Sequence, residues 1–266
     1  MILTLRDFSI EQMALSGQCF RIYKIDSNTW IIYHKKNKLT IKQLSKNQYE
    51  FDCDQTDWNT IWLDYFDLGI DYSKIKRLIL TSNDVYLKKA VKFGSGLRIL
   101  RQDLFEAIIC FIISQNNNIS RITKIVRSLC NPYFPDISDL YKYSITDWQA
   151  LGVGYRSIYL YEIVQKIYIG QFDLEKLKQM SCSNAIAYLK TLKGIGNKVA
   201  NCIALFGLHH INAFPRDVWI NRIIEKHYNG NFPFDLYDGF LGIVQQYMFY
   251  YERNNSVNST DIRIDA

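Results

Sequence analysis

Short runs of alternating apolar and polar residues open the chain. CFRIYKI (19–25), TWIIYHKK (29–36), LTIKQL (39–44) and QYEFDC (48–53) are rich in β-branched and aromatic residues and are parted by polar breaks such as DSN, KN and SKN. Alternation of this kind predicts half-buried strands, and breaks this short predict antiparallel hairpins. The period changes near Asp54. TDWNTIWLDYF, SKIKRLILTSNDVYLKKAVKF and DLFEAIICFIISQ repeat apolar residues at helical spacing, and helical patterning continues to about Glu252. The final stretch, RNNSVNSTDIRIDA, is polar and predicts a loose tail. No internal repeat is visible. The pattern therefore predicts an α+β chain in three parts. A β-rich unit with flanking helices spans residues 1–95, a helical body spans 96–252, and a polar tail spans 253–266.

Composition excludes several classes. The chain has 266 residues, of which 48% are hydrophobic, enough to bury one large core or two coupled ones. Aromatics at 15% argue against disorder. No apolar run reaches the ~18–20 residues that a membrane span needs. The start, MILTLRDFSIEQM, carries acids early and has no long apolar stretch, so no signal peptide and a cytoplasmic location are expected. The net charge of +6 suits a polyanion-binding protein, although many basic proteins bind no nucleic acid. The six cysteines, Cys19, Cys53, Cys110, Cys130, Cys182 and Cys202, are scattered without a C-x-x-C pair. Free thiols packed as small hydrophobes are expected, with no zinc or iron–sulfur site and no other cofactor.

The chemistry concentrates in LKGIGNKVANCIALFGL, residues 192–208. One helix is broken by Gly194-Ile195-Gly196 and another starts at once. The glycines permit a tight turn with a bare outer surface, and the first amides of the next helix face outward at its positive dipole end. That is an anion site suited to a DNA phosphate, although a plain helix–turn–helix corner fits the pattern as well. Lys198 sits in the first turn of the second helix. A lysine at a helix N-terminus in a dry pocket has its charged form disfavoured, which makes a reactive amine; the plainer role is a surface contact to phosphate. Asp217 follows Phe214-Pro215-Arg216 and precedes the amphipathic VWINRIIEKHY, so it is a natural N-cap. A helix from Lys198 to Leu208 rises ~15 Å, and the connector HHINAFPR is long enough to return that distance. Asp217 can therefore come back to the level of Lys198.

Gly-x-Gly-x-Lys followed by Pro-x-Asp resembles the helix–hairpin–helix DNA glycosylase superfamily. SGQCFR (16–21), ILRQD (99–103), SQNNNISRI (114–122), LGVGYR (151–156), KGIGNKVANCI (193–203) and FPRDVW (214–219) resemble, in order, the 8-oxoguanine DNA glycosylase/lyase family. The resemblance spans about residues 15–252 and is strong from about residue 95. It implies a TBP-like antiparallel sheet unit followed by an all-α glycosylase body, with the hairpin at about 186–208. It implies that Lys198 attacks C1′ of the damaged nucleotide and that Asp217 stabilises the cationic sugar. The base leaves, a Schiff base to Lys198 remains, and β-elimination nicks the strand, with no metal required. A positively charged transition state favours a fixed carboxylate in a dry site.

Other roles follow from the same resemblance. The target base leaves the duplex first. Cys202 and Phe249 sandwich it, Gln245 reads its pairing edge, and Trp219 flanks the pocket. The Gly17 carbonyl accepts the N7–H that 8-oxoguanine has and guanine lacks. Asn116 fills the gap left by the base and Tyr155 wedges the stack. Arg121 and Arg156 contact the opposite base, implying a preference for cytosine. Gly194 and Gly196 belong to the DNA-binding hairpin. Two positions depart from the animal members: Ile22 stands where tryptophan is usual, and Trp219 where histidine is frequent. The implied partner is double-stranded DNA containing 8-oxoguanine, with no membrane, the protein acting as a monomer. Short termini and a composition rich in Ile, Lys, Asn and Tyr point to a bacterial source. An endonuclease III-like glycosylase for oxidised pyrimidines shares Lys and Asp, but usually carries a C-terminal cysteine cluster that is missing after Cys202. A non-catalytic hairpin module would need neither Asp217 nor an aromatic pocket.

Overall fold

A computed structural model describes residues 1–256. Five antiparallel strands form one sheet: β1 (Ile2–Thr4), β2 (Ile22–Lys24), β3 (Thr29–His34), β4 (Asn37–Gln43) and β5 (Gln48–Phe51), in the order β1-β5-β4-β3-β2. The register sets Trp30 opposite Ile41 and Ile32 opposite Leu39, so alternate residues share one buried face. The four strands expected from alternation are present. β1 is an addition: three residues carry no periodicity, and only pairing with β5 makes them a strand.

Helix α1 (Ile10–Leu15) precedes β2. After the sheet, α2 (Gln55–Asp57) and α3 (Leu63–Tyr65) flank a π-helical turn at Trp58–Trp62. The buried face of the sheet packs on Phe8, Trp58, Trp62 and Phe66, an aromatic core of its own. The next elements are α4 (Tyr72–Thr81), α5 (Val85–Phe93), α6 (Leu104–Ile113), α7 (Ile119–Leu129), α8 (Ile137–Leu140), α9 (Ile145–Ala150) and α10 (Arg156–Tyr168). Then come α11 (Leu174–Lys178), α12 (Cys182–Leu189), α13 (Asn197–Phe206), α14 (Val218–Tyr228) and α15 (Leu241–Ser256). Nine of the ten residues of α6 are buried, eight apolar groups and Glu106, because α7, α10 and α13 pack around it; Phe105 is half-buried. The core division does not follow the boundary expected at residue 95. α4 and α5 bury Ile75, Ile79, Leu87 and Val91 in the helical core, where α5 packs along α15. α15 runs to Ser256, so residues 253–256 of the expected tail are helical, and 257–266 lie outside the described residues. No helix of the described residues is long and apolar enough to cross a membrane. All six cysteines are free.

Two extended segments run between the cores. Cys19 joins the sheet core and Phe20 the helical one; Leu100 joins the sheet core and Ile99 the helical one. Polar side chains tie these segments together. The Gln18 amide donates to the Arg98 carbonyl at 2.9 Å and to Ser16 Oγ at 2.9 Å, and its oxygen accepts from the Leu100 amide at 2.8 Å. Gln102 donates to the Gln18 carbonyl at 2.6 Å. Arg21, fully buried, meets Glu106 of α6 at 2.6 Å. Removing one partner of such a pair strands a buried charge, so Arg21→Met should cost about 3–5 kcal/mol in urea unfolding. Adding Glu106→Leu should recover most of that loss. An Arg21→Met protein as stable as the wild type would show that the pair contributes nothing.

Candidate active site

The hairpin connects α12 to α13. Gly194 has φ +87°, and a Cβ there would sit 2.5 Å from the Tyr159 ring, so only glycine fits. Ile195 is buried and anchors the turn. Gly196 caps α13 without any side-chain hydrogen bond, and a Cβ on it would meet nothing within 4 Å. The first amides of α13 therefore face open space with no protein side chain competing for them.

Lys198 occupies the first turn of α13, and Cys202 lies one turn further along the same face. The connector returns as the spacing predicts, and the structure shows what holds it. Asn201 donates to the Asn197 carbonyl at 2.9 Å and accepts the Phe214 amide at 3.2 Å. That clamp lays residue 214 against α13 and brings Asp217, three residues later, to the lysine. Asp217 is the N-cap of α14, accepting the Ile220 amide at 2.9 Å. Burial pushes its carboxyl upward, opposed by that amide and by the charge of Lys198. Burial likewise raises the Cys202 thiol, with Lys198 pulling it down and Asp217 pushing it up. Lys198, Cys202 and Asp217 thus form one electrostatic cluster. Phe111 of α6 completes it: Lys198 Nζ is 6.0 Å from the ring centroid, and the ring stacks on Phe206 at 5.3 Å. Nothing in LFEAIICFII singles Phe111 out, because every position of that helix is apolar or buried.

A second group assembles from distant parts of the chain. Gly17 has φ +73°, and a Cβ there would lie 2.8 Å from Ile119 Cδ1 and 3.4 Å from Phe249 Cε1. The loop of the sheet unit is thereby set against α15. Gln245, buried, lies one turn before Phe249 on the same helix and accepts from the Gln246 amide at 3.0 Å. Phe249 is half-buried, leaving ring surface free. Trp219 is half-buried in the first turn of α14, with the Arg222 guanidinium 5.7 Å from its ring centroid.

A third group lies on the surface. Asn116 is exposed with φ +44°, and Tyr155 is 54% exposed, with the Arg156 guanidinium 4.6 Å from its ring centroid. The two arginines differ. Arg121 is exposed and donates to the Gly152 carbonyl at 3.2 Å, leaving most of its fork free. Arg156 is buried and spends its fork on the carbonyls of Gln115, Asn116 (2.9 Å) and Val153 (3.0 Å). It braces the loop that carries Asn116. A cleft of about 670 Å³ between α5 and the far ends of α14 and α15 contains none of these residues.

A glycine hairpin with open amides, a lysine beside a capping aspartate, and an attached five-stranded sheet together define a helix–hairpin–helix protein of the base-excision type. Residues 109–232 match the model of the HhH-GPD superfamily of base excision DNA repair proteins, and residues 1–108 match the N-terminal domain of 8-oxoguanine DNA glycosylase. The chain belongs to the 8-oxoguanine DNA glycosylase family. It is 30% identical to the Clostridium acetobutylicum 8-oxoguanine glycosylase/lyase, solved with DNA containing cytosine opposite 8-oxoguanine; 96% of this chain and 98% of that one superpose with a TM-score of 0.88. It is 33% identical to MBOgg1, solved with a low-affinity DNA ligand, over 96% of each chain with a TM-score of 0.89. The N-glycosylase/DNA lyase OGG1 of Arabidopsis thaliana is 36% identical over 165 residues, which are 53% of this chain and 45% of that protein. The chain spans about half the length of the first curated relatives it matches, 45% and 54%.

The Asp217 environment makes a prediction about stability. A carboxyl raised by burial is disfavoured when ionised, so its ionisation costs folding stability as pH rises above the unfolded value of about 3.9. Asn is as good a cap as Asp and carries no charge. Asp217→Asn should therefore be at least as stable as the wild type at pH 7, and the difference should vanish by pH 3. Chemical denaturation at both pH values measures it, and a variant clearly weaker at pH 7 would contradict the assigned environment.

Proposed function

We propose that the chain is a bifunctional DNA glycosylase and abasic-site lyase that excises 8-oxoguanine from duplex DNA through a Schiff base on Lys198. The observation that carries this reading is the meeting of Lys198, Cys202 and Asp217 behind open hairpin amides. The Lys198 amine attacks C1′, the bond to the base breaks, and the base departs with the electron pair. Asp217, held as a cap within electrostatic reach of the lysine, stabilises the positive charge on the sugar. One amine proton passes to the departing base and the other to O4′ as the C1′–O4′ bond opens, which leaves an imine on Lys198; the imine acidifies C2′–H, and β-elimination expels the 3′ phosphate. In this reading Cys202 and Phe249 enclose the flipped base, Gln245 reads its pairing edge and the Gly17 carbonyl accepts N7–H. A buried carbonyl left unpaired costs ~1–3 kcal/mol, which disfavours guanine. Trp219 closes the pocket from α14.

On the surface, Tyr155 wedges the stack and Asn116, braced by Arg156, enters the vacated gap. Arg121 supplies a free fork for the acceptor edge of an unpaired cytosine. The Clostridium relative, solved with cytosine opposite 8-oxoguanine, supports that preference. The hairpin amides at Gly194 and Gly196 take a phosphate. The enzyme acts as a monomer on chromosomal DNA, a partner that the +6 charge suits, in the cytoplasm of a bacterial cell.

Borohydride trapping on an 8-oxoguanine:C duplex tests the chemistry. The wild type should form a covalent adduct and Lys198→Gln none, while Lys198→Gln still binds DNA through the intact hairpin. Asp217→Asn should slow single-turnover base release by about 10²–10³-fold. Absence of both adduct and base release in the wild type would sink the reading. Arg121→Ala should bring the rates opposite C and opposite A together. An unchanged C-to-A ratio in that variant removes Arg121 from opposite-base recognition.

A further inference from the structure

Arg253 lies one helical turn beyond Phe249 and two beyond Gln245, so the three share one stripe of α15. Its guanidinium reaches Gly17: Nη1 is 3.8 Å from where a Cβ on that glycine would sit. Among the described residues it makes no ion pair and no hydrogen bond. Burial lowers its pKa, with no charged group opposing the shift. Arg253 is half-buried, and the fully buried arginines have partners within the chain, Arg21 in Glu106, Arg98 in the Ile70 carbonyl and Arg156 in loop carbonyls. Holding a partly desolvated cation without a partner in the chain costs some stability, and a guanidinium stays charged regardless. A ligand acceptor at this position would offset that cost.

The stripe has the layout of a purine. A base laid against Phe249 with its pairing edge at Gln245 directs its five-membered ring toward Gly17 and Arg253. At that end 8-oxoguanine differs from guanine in two adjacent groups, an N7–H donor and a C8 carbonyl acceptor. A backbone carbonyl complements the first, and a guanidinium fork complements the second. We propose that Arg253 donates a hydrogen bond to the C8 oxygen of the lesion and is, beside Gly17, a second specificity-determining group of the base pocket. This assignment rests on the 8-oxoguanine reading above. Guanine satisfies neither contact, and its C8–H would face the guanidinium.

The test compares duplexes carrying 8-oxoguanine with duplexes carrying 8-thioguanine, which keeps N7–H and replaces the oxygen with a poorer acceptor. Base release from 8-oxoguanine by the wild type is measured first; its absence defeats the proposed function, and this assignment falls with it. An active wild type should prefer oxygen over sulfur by about 10- to 100-fold, the range of a hydrogen bond to a charged group. Arg253→Met should reduce that preference to about threefold or less, with the 8-thioguanine rate near that of the wild type. Arg253→Lys, which keeps the charge and a donor, should restore part of the preference. An unchanged oxygen-to-sulfur ratio in Arg253→Met overturns the assignment. If both rates fall together and the salt slope of binding drops by about one, the guanidinium serves a phosphate instead. If neither rate falls, it serves no part of the substrate.

Discussion

The carboxamide of Gln18 is sealed between the sheet core and the helical core, and every polar atom on it is used. A group so placed cannot exchange its partners for water, so each broken bond leaves an unpaired dipole worth ~1–3 kcal/mol. This contact locks the segment 16–21 to the segment 98–102 and thereby fixes how the sheet unit sits on the helices. Gly17 precedes Gln18 directly. Its approach to Phe249, more than 230 positions away in the chain, is a consequence of that lock. The group of Gly17, Phe249 and Gln245 assembles where the two cores meet, and its geometry is only as well defined as their junction. The Arg21–Glu106 pair lies in the same junction and fixes the segment a second time.

The chemical cluster has a different logic. Lys198, Cys202 and Asp217 are supplied by two successive helices and the connector between them. Their arrangement is local, and Asn201 is enough to close it. Apolar rings, Phe111 and Phe206, dry the environment. A dry environment strengthens the interaction of a carboxylate with developing positive charge and at the same time raises the cost of that carboxylate. The upward shift at Asp217 expresses this cost. The site is therefore held at some expense of stability, met by the extensive helical core beneath it.

Much of this molecule was legible in one dimension. Alternation exposed β2 to β5, and helical period exposed most of the body. Gly194, Gly196, Lys198 and Asp217 stood out because a hairpin and a cap are local structures with local signatures. Phe111 and Asn201 did not stand out: one lies in a uniformly apolar helix, the other is one polar residue on a buried face. β1 was hidden because a three-residue strand exists only through its partner. Arg121 and Arg156 looked alike in their motifs, yet burial commits one to loop carbonyls and leaves the other free.

The sequence by itself determined the order of elements, the hairpin, and the return of an aspartate to the level of a lysine. Each depends on spacing within about 25 residues, where helix rise and connector length constrain geometry. Only the tertiary structure decided that Gly17, Phe249 and Arg253 lie side by side, and that α4 and α5 belong to the helical core. Those outcomes depend on which buried polar groups find partners across the chain, and hydrophobic period carries no record of such pairings.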